Sequence, residues 1–294
     1  MEEQLMKRKL LALTLALGLT ASLAACGNSG SGSGSGSAAS GSAGSASASG
    51  SAPAETVTLK VAASATPHAE ILNAVKDILA QQGIDLQVTE YGDYVVPNTA
   101  VEEGSEDANY FQHVPYLDNF NAENGTHLVN AGGVHIEPMG IYAGKTATLA
   151  DLADGAVIAI PNDATNEGRA LLLLEAQGLI KLKDSANLTA TPNDIAENSK
   201  NLTFKELEAA MIPNTVEEVD LSVINSNYAM EAGFNPVEDA LAIEDANSPY
   251  VNIIAVKEGN ENNPAIVALV EALQSETARD FITTTYGGAV IPAV

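Results

Sequence analysis

Three consecutive stretches, "TVTLKVAAS", "PHAEILNAVKDILAQQG" and "IDLQVTEY", leave few folds open to this chain. The first alternates apolar and polar residues and reads as a strand. The second sets Ile71, Leu72, Val75, Ile78 and Leu79 at helical spacing and stops at Gly83. The third is a second strand. A strand, a helix and a strand within about 30 residues make a βαβ unit, whose crossover joins parallel neighbours. The theme recurs. "AVIAIPN" is a strand, "TNEGRALLLLEAQG" a helix closed by Gly178, and "LTFKELEAAMI" a strand with a short helix. "VDLSVINSNYAMEAG" runs from strand to helix, "SPYVNIIAVKEG" is a strand, and "PAIVALVEALQSETARDFITTTYGG" is a pair of helices. These segments predict an α/β protein of two lobes. Residues 57–141 begin lobe 1, residues 142–249 form lobe 2, and residues 250–294 return to lobe 1. Each lobe is expected to be a mostly parallel sheet flanked by helices. Such sheets hold ligands beyond the carboxyl ends of their strands, which here means the cleft between the lobes.

Upstream of Val57 the chain has a different character. Lys7, Arg8 and Lys9 precede a 16-residue apolar run, Leu10 to Ala25, and then Cys26 in "LAAC". A basic start, a short apolar run and small residues mark a secretory signal peptide over residues 1–25. The run falls short of the roughly 20 residues needed to cross a bilayer. "LAAC" is similar to the bacterial lipobox, in which the cysteine becomes a lipid-bearing N-terminus. "MEEQL" sets two acids ahead of the basic segment, so Met6 competes with Met1 as the start. Residues 26–56 continue from Cys26 as a Gly/Ser/Ala linker. The 28 residues from Gly27 to Ala54 carry no charge and as a random coil span about 29 Å. Such a tether suggests an extracytoplasmic protein held off a membrane by its lipid, on a Gram-positive surface. A formal charge of -25 and a pI near 4.2 supply no basic stripe for phosphates, which argues against a nucleic-acid partner.

The unusual residues collect in four expected loops: "EYGDYVVPN", "DANYFQHVPYLDNF", "GGVHIEPMGIY", and the polar stretches around Asn162 to Arg169 and Ile224 to Ala229. In "IPNDATNEGRALLLL", Thr165 or Asn166 is placed to cap a helix whose first turn offers free N–H groups and the positive end of a dipole. Arg169 adds a bidentate fork, and the combination suits a carboxylate. A cation in a first turn needs an acceptor, either Glu167 or a ligand carboxylate. Asp163, Asn225 and Asn227 offer acceptors for an ammonium group, although asparagine after a strand is also ordinary turn chemistry. Tyr91, Tyr94, Phe111, His113 and Tyr116 form an aromatic group in an aromatic-poor protein, suited either to a core or to an apolar pocket. A charged head site beside an apolar aromatic wall describes an amino-acid receptor. Other chemistries fit less well. His68, His113, His127 and His135 with Glu70 and Glu137 contain no closely spaced histidine pair for zinc. No G-x-S-x-G, phosphate loop or dinucleotide fingerprint occurs, so neither catalysis nor a cofactor is expected.

Taken together, "PHAEIL", "DYVVPN", "DANYFQHVPYLD", "VHIEPMGIY", "IPNDATNEGRALLLL", "GLIKLKD", "VDLSVINSNYA", "SPYVNIIAV" and "GGAV" resemble the MetQ/NlpA family, in order from Leu59 to Val290. The family comprises lipid-anchored methionine-binding proteins of ABC importers. The resemblance implies a two-lobed periplasmic-binding-protein fold, type II-like, that closes on methionine and docks on a permease with its ATPase; a lone receptor of this kind is expected to work as a monomer. By motif, Arg169 would clamp the carboxylate with support from Asn166, and Asn225 would hold the amino-acid backbone. Tyr91, Phe111, His113 and His135 would line the thioether pocket, where sulfur–aromatic contacts add selectivity. The chain departs from the pattern at Ala164, where the family usually has proline, and at Asn214, where it often has arginine. Two alternatives stay open. One keeps the fold with another apolar amino acid, D-methionine or a methionyl dipeptide as ligand. The other is a metal-binding receptor using His113 and His135.

Overall fold

β1 (Val57–Ala63) and β2 (Ile84–Glu90) pair in parallel, and the segment between them carries α1 (Glu70–Ala74) and α2 (Lys76–Gln81). The periodicity predicts one helix here, but the backbone breaks at Val75, with φ -102° and ψ 1°. Val75 is buried in the core, and the break lets α1 and α2 lean on different partners. In the computed structural model the described residues are 56–245 and 248–293. They lie within one compact unit, Ser51–Val294. The expected signal peptide, Cys26 and all but the last residue of the tether fall outside the described residues.

The chain continues through α3 (Val96–Glu103), β3 (Ala108–His113), α4 (Val114–Asn124) and β4 (Leu128–Ile136). It then enters a second sheet at β5 (Gly140–Ala143), followed by β6 (Val157–Pro161) and α5 (Ala164–Ala176). A small ribbon of β7 (Lys181–Leu182) and β8 (Ile195–Glu197) precedes β9 (Thr203–Leu207). Next come β10 (Leu221–Ile224), α6 (Ser226–Glu231), α7 (Pro236–Asp239) and β11 (Ala240–Ile243). The chain returns to the first sheet with β12 (Val251–Lys257), then α8 (Pro264–Leu273), α9 (Glu276–Tyr286) and β13 (Ile291–Pro292). The first sheet has the order β13-β4-β12-β3-β1-β2, and the second β11-β5-β10-β6-β9. α1 leans on α9, and α2 on α8 and β2.

The fold is α/β with two principal sheets, but the sheets are mixed rather than mostly parallel. β1 runs parallel to β2 and β3, whereas β12 runs antiparallel to β3 and β4. In the second sheet β6 runs parallel to β9 and β10, and β5 runs antiparallel to β10 and β11. The reason lies in the two crossovers. Glu137–Met139 carries the chain out of β4 into β5, and residues 244–250 carry it from β11 into β12. A strand that enters its sheet from a crossover begins where its neighbours end, so β5 and β12 must run the other way. A second difference concerns "DANYFQHVPYLDNF" and "GGVHIEPMGIY", expected as loops. They form β3 with α4, and β4 with the first crossover. Their polar residues therefore sit at the rigid ends of strands.

A separate apolar core stands behind each sheet. Leu59, Val61, Ile71, Leu79 and Leu269 are buried behind the first, and Ile141, Ile158, Ile160, Leu171 and Leu174 behind the second. Gly168 lets the chain at Leu188 lie directly on α5. A Cβ there would fall 2.4 Å from the Leu188 carbonyl oxygen and 3.0 Å from the Ala190 nitrogen. Helix propensity alone makes Gly168→Ala stabilising by about 1 kcal/mol. Overpacking against main-chain atoms reverses the sign, and the expected outcome is a loss of about 1–3 kcal/mol. Urea unfolding of the variant decides which effect wins.

Candidate functional site

The ends of β3, β4 and β10, the start of β12 and the first turn of α5 converge on a small, tightly lined cavity. Its wall includes Phe111, His113, Asn166, Arg169 and Asn225. Tyr91 and His135, expected on the wall, are not there. Glu137, Tyr94 and Asn227 are.

The first turn of α5 organises one side. The N-cap is Asp163 and not Thr165 or Asn166, which lie within the first turn; Asp163 Oδ1 accepts from the Asn166 backbone at 2.9 Å. Both carboxylate oxygens also accept from Asn166 Nδ2, each at 3.0 Å. Asp163 is therefore spent on the helix and is not the ammonium acceptor that the sequence suggests; burial nevertheless pushes its carboxyl up. Asn166 Oδ1 in turn accepts from Asn225 Nδ2 at 2.9 Å and from His113 Nε2 at 3.3 Å. His113 caps α4, with Nδ1 accepting from the Tyr116 backbone at 3.2 Å, so its hydrogen sits on Nε2. Burial, reinforced by nearby Arg169, pulls its pKa down to about 3 and keeps the ring neutral. Asn166 thus joins the helix cap, β3 and β10.

Arg169 has a different partner from the one expected. Its Nε donates to Glu244 Oε1 and Oε2 at 3.0 and 3.1 Å, and its Nη2 reaches Oε2 at 2.5 Å. Nη2 also donates to the Glu137 carbonyl at 2.8 Å. The Tyr250 ring lies 4.3 Å from the guanidinium carbon, close enough for a cation–π contact. Glu244 in addition accepts from the Met139 backbone at 3.2 Å. The guanidinium thus ties α5 to both crossovers, and Nη1 has no partner among the described residues. Glu167, the acceptor named from sequence, makes no bond to Arg169. Its Oε1 is buried with no partner among the described residues. Burial, Glu206 and Asp163 push its pKa up to about 7.

Opposite the guanidinium stands a second buried charge. Glu137 Oε1 accepts from His135 Nε2 at 2.7 Å and lies 3.1 Å from His68 Nε2. His135 Nδ1 meets the Tyr110 hydroxyl at 2.5 Å. Burial by itself would raise the Glu137 carboxyl, but His68 and the hydrogen bonds from both imidazoles outweigh it and hold the group well below the usual range. Ligand atoms of His68, His135 and Glu137 lie within 4.8 Å of one another. The separation of 2.7 Å is that of a hydrogen bond, since ligands of a tetrahedral zinc stand roughly 3.4 Å apart. His113 is not part of this cluster, so the metal reading through His113 and His135 is not assembled. His135 stands behind Glu137 instead of facing the cavity. The H-x-E spacing was a usable signal, because alternate residues of an extended chain share a face.

Aromatic rings close the remaining side. Tyr94 and Phe111 lie 5.7 Å apart between centroids, and Phe111 and Tyr116 6.0 Å. Asp93 accepts from the Val95 and Val96 backbones at 2.7 and 2.8 Å, which turns the chain after β2. Tyr94 thereby faces inward, its hydroxyl donating to Asn227 Oδ1 at 2.5 Å. Tyr91 points to Glu106 at 3.4 Å instead. Among the described residues, two buried polar atoms of the cavity-lining side chains, Asn225 Oδ1 and Asn227 Nδ2, have no partner. Buried polar groups are normally satisfied, so a cluster of unsatisfied ones on a cavity wall is a specific invitation to a ligand.

A family model described as NlpA lipoprotein matches residues 59–294. The methionine-binding lipoprotein MetQ of Bacillus subtilis is 41% identical over 237 residues, covering 79% of this chain and 86% of its own. A crystal structure of a nutrient-binding protein from Burkholderia cenocepacia bound to methionine is 42% identical, with a TM-score of 0.77 over 80% of this chain and all of that one. An ABC transporter periplasmic substrate-binding protein from Coxiella burnetii is 41% identical, with a TM-score of 0.76 over 80% of this chain and all of that one. Relatives from such different bacteria lend no support to the Gram-positive placement suggested by the tether.

Two outcomes follow from the charges at this site. Glu167 has its folded pKa raised to about 7, against about 4.3 for an unfolded glutamate. The folded state then binds the extra proton, so this contribution is complete below about pH 4.3 and is lost as pH rises through 7. Glu167→Gln should flatten that part of the stability profile, which urea midpoints at low and high pH would reveal. Glu244→Ala strands the Arg169 guanidinium and should cost about 3 kcal/mol. Calorimetric unfolding at neutral pH checks the second.

Proposed function

The chain belongs to the NlpA lipoprotein family, and on that footing we propose that it captures methionine outside the cytoplasm for an ABC importer. One observation carries the choice of ligand: two buried side chains of opposite charge, Arg169 and Glu137, line the same small cavity, and each has one polar atom with no bond among the described residues. Arg169 offers Nη1, and Glu137 offers Oε2. An α-carboxylate against Arg169 and the first turn of α5 satisfies the donor side. An ammonium group against Glu137 and Asn225 Oδ1 satisfies the acceptor side. The thioether then lies among Tyr94, Phe111 and Tyr116, where sulfur meets ring edges favourably. Asn166 and His113 brace the arrangement. Glu137 and Tyr94 take the direct roles that the motifs gave to His135 and Tyr91.

In this reading residues 57–141 and 250–294 make one lobe, residues 142–249 the other, and the pair closes about the two crossovers. Cys26 carries the lipid anchor, and the tether lets a monomer reach the permease and its ATPase. The protein transfers its cargo unchanged.

The test is thermal unfolding of protein stripped of ligand by unfolding and refolding, with L-methionine, D-methionine, glycyl-methionine and leucine added in turn. At a thousandfold excess over Kd, a ligand stabilises by about 4.1 kcal/mol. L-Methionine is expected to raise the midpoint by several degrees and leucine much less. Arg169→Ala should abolish the increment whatever it does to the midpoint of the free protein. A flat response to every compound would remove methionine and its analogues from the cavity.

A further inference from the structure

We propose that His68 and His135 are positioning residues that hold the Glu137 carboxylate charged and oriented for the ammonium group of the ligand. The inference rests on the assignment of Glu137 to that ammonium. Glu137 Oε1 is occupied by two imidazole nitrogens, at 2.7 and 3.1 Å. Oε2 is the oxygen left for the cavity. The hydrogens are placed by the other partners of the rings. His135 Nδ1 meets the Tyr110 hydroxyl, so Nε2–H is free to donate to Glu137. His68 Nε2 also lies 3.0 Å from Asn252 Oδ1, a second acceptor, so this nitrogen too carries its hydrogen. The ring of His68 stands edge-on to Tyr110 at 4.7 Å and lies 5.1 Å from His135. His68, Tyr110 and His135 are at most 1% exposed.

The chemistry explains why two donors are needed. A carboxyl buried this deeply would take up a proton if left alone. The neutral acid would then turn an O–H toward the ligand or lose its grip on a cation. Two N–H groups on one oxygen favour the charged form and fix the plane of the carboxylate. The free oxygen then presents its lone pairs at a set angle. Four separated parts of the chain supply this support: the segment before α1, β3, β4 and β12.

The other titratable groups around Glu137 come from several elements. β3 contributes Tyr110 and His113, and α5 sends Arg169 to the main-chain carbonyl. Glu231 of α6 faces it as a like charge, and Tyr94 and Tyr286 stand farther out. None of these donates to the carboxylate oxygens among the described residues.

The test compares His135→Gln with His135→Met, and His68→Gln with His68→Met, by calorimetric titration with L-methionine from about pH 5 to 8. Glutamine can place an N–H close to the imidazole Nε2, and methionine fills the space without a donor. Wild-type protein and the Gln variants should bind with an affinity nearly independent of pH. The Met variants should weaken by at least about tenfold toward pH 5, as one proton competes with the ammonium group. Glu167 titrates in every variant and cancels in the comparison. A desamino analogue, 4-(methylthio)butanoate, should not share the acid loss. Equal weakening at every pH, for both ligands, would mean that the histidines merely pack the site and would overturn the inference. Unchanged affinity in the Met variants would overturn it as well. A wild-type protein that binds no L-methionine at all would sink the ligand assignment, and this inference with it.

Discussion

A guanidinium sealed between two sheets cannot be left unpaired, and the rest of the site is arranged around that constraint. Arg169 is held by the Glu244 carboxylate, the Glu137 carbonyl and the face of Tyr250. Each partner comes from a chain segment that crosses between the sheets. Removing a buried charge from water costs several kcal/mol unless it is fully bonded. The same bonds that satisfy the guanidinium therefore set the relation of α5 to both crossovers. One electrostatic requirement serves stability and geometry together.

The opposite pole is built by the same logic with different chemistry. Glu137 is held by imidazole N–H groups, themselves fixed by Tyr110 and Asn252. Both charges are thus oriented by the protein's own groups, and each keeps one atom with no bond among the described residues. Such preorganisation lowers the ordering cost that binding otherwise carries. In the proposed reading it also favours selectivity, because a ligand lacking either of its two charges would leave Arg169 Nη1 or Glu137 Oε2 without a partner. Asn166 joins the two sides, since its amide donates to the cap of α5 and its carbonyl accepts from Asn225 and His113.

Much of this was legible along the chain. The start of α5 and its arginine follow from a local pattern, although the cap is Asp163 and not Thr165 or Asn166, and the grouping of aromatic residues after β2 and in β3 follows likewise. Errors arose where the answer depended on rotation or on distant partners. Tyr91 and Tyr94 are three residues apart, and only the turn made by Asp93 decides which faces the cavity. His135 and Glu137 are two residues apart in an extended segment, but only the tertiary structure decides that Glu137 lines the cavity and His135 does not. Glu244 lies 75 residues from Arg169 and carries no local mark of its role.

Sequence alone determined the α/β alternation, the helix stops and the kinds of side chain gathered after the strands. These depend on periodicity, capping and turn chemistry, which act over a few residues. Tertiary structure decided the direction of β5 and β12, the pairing of Arg169 with Glu244 and the burial of Glu137 between two histidines. Those outcomes depend on the two crossovers, which bring together groups from distant parts of the chain. Once buried there, each charge must find its partner across space, whatever its neighbours in sequence.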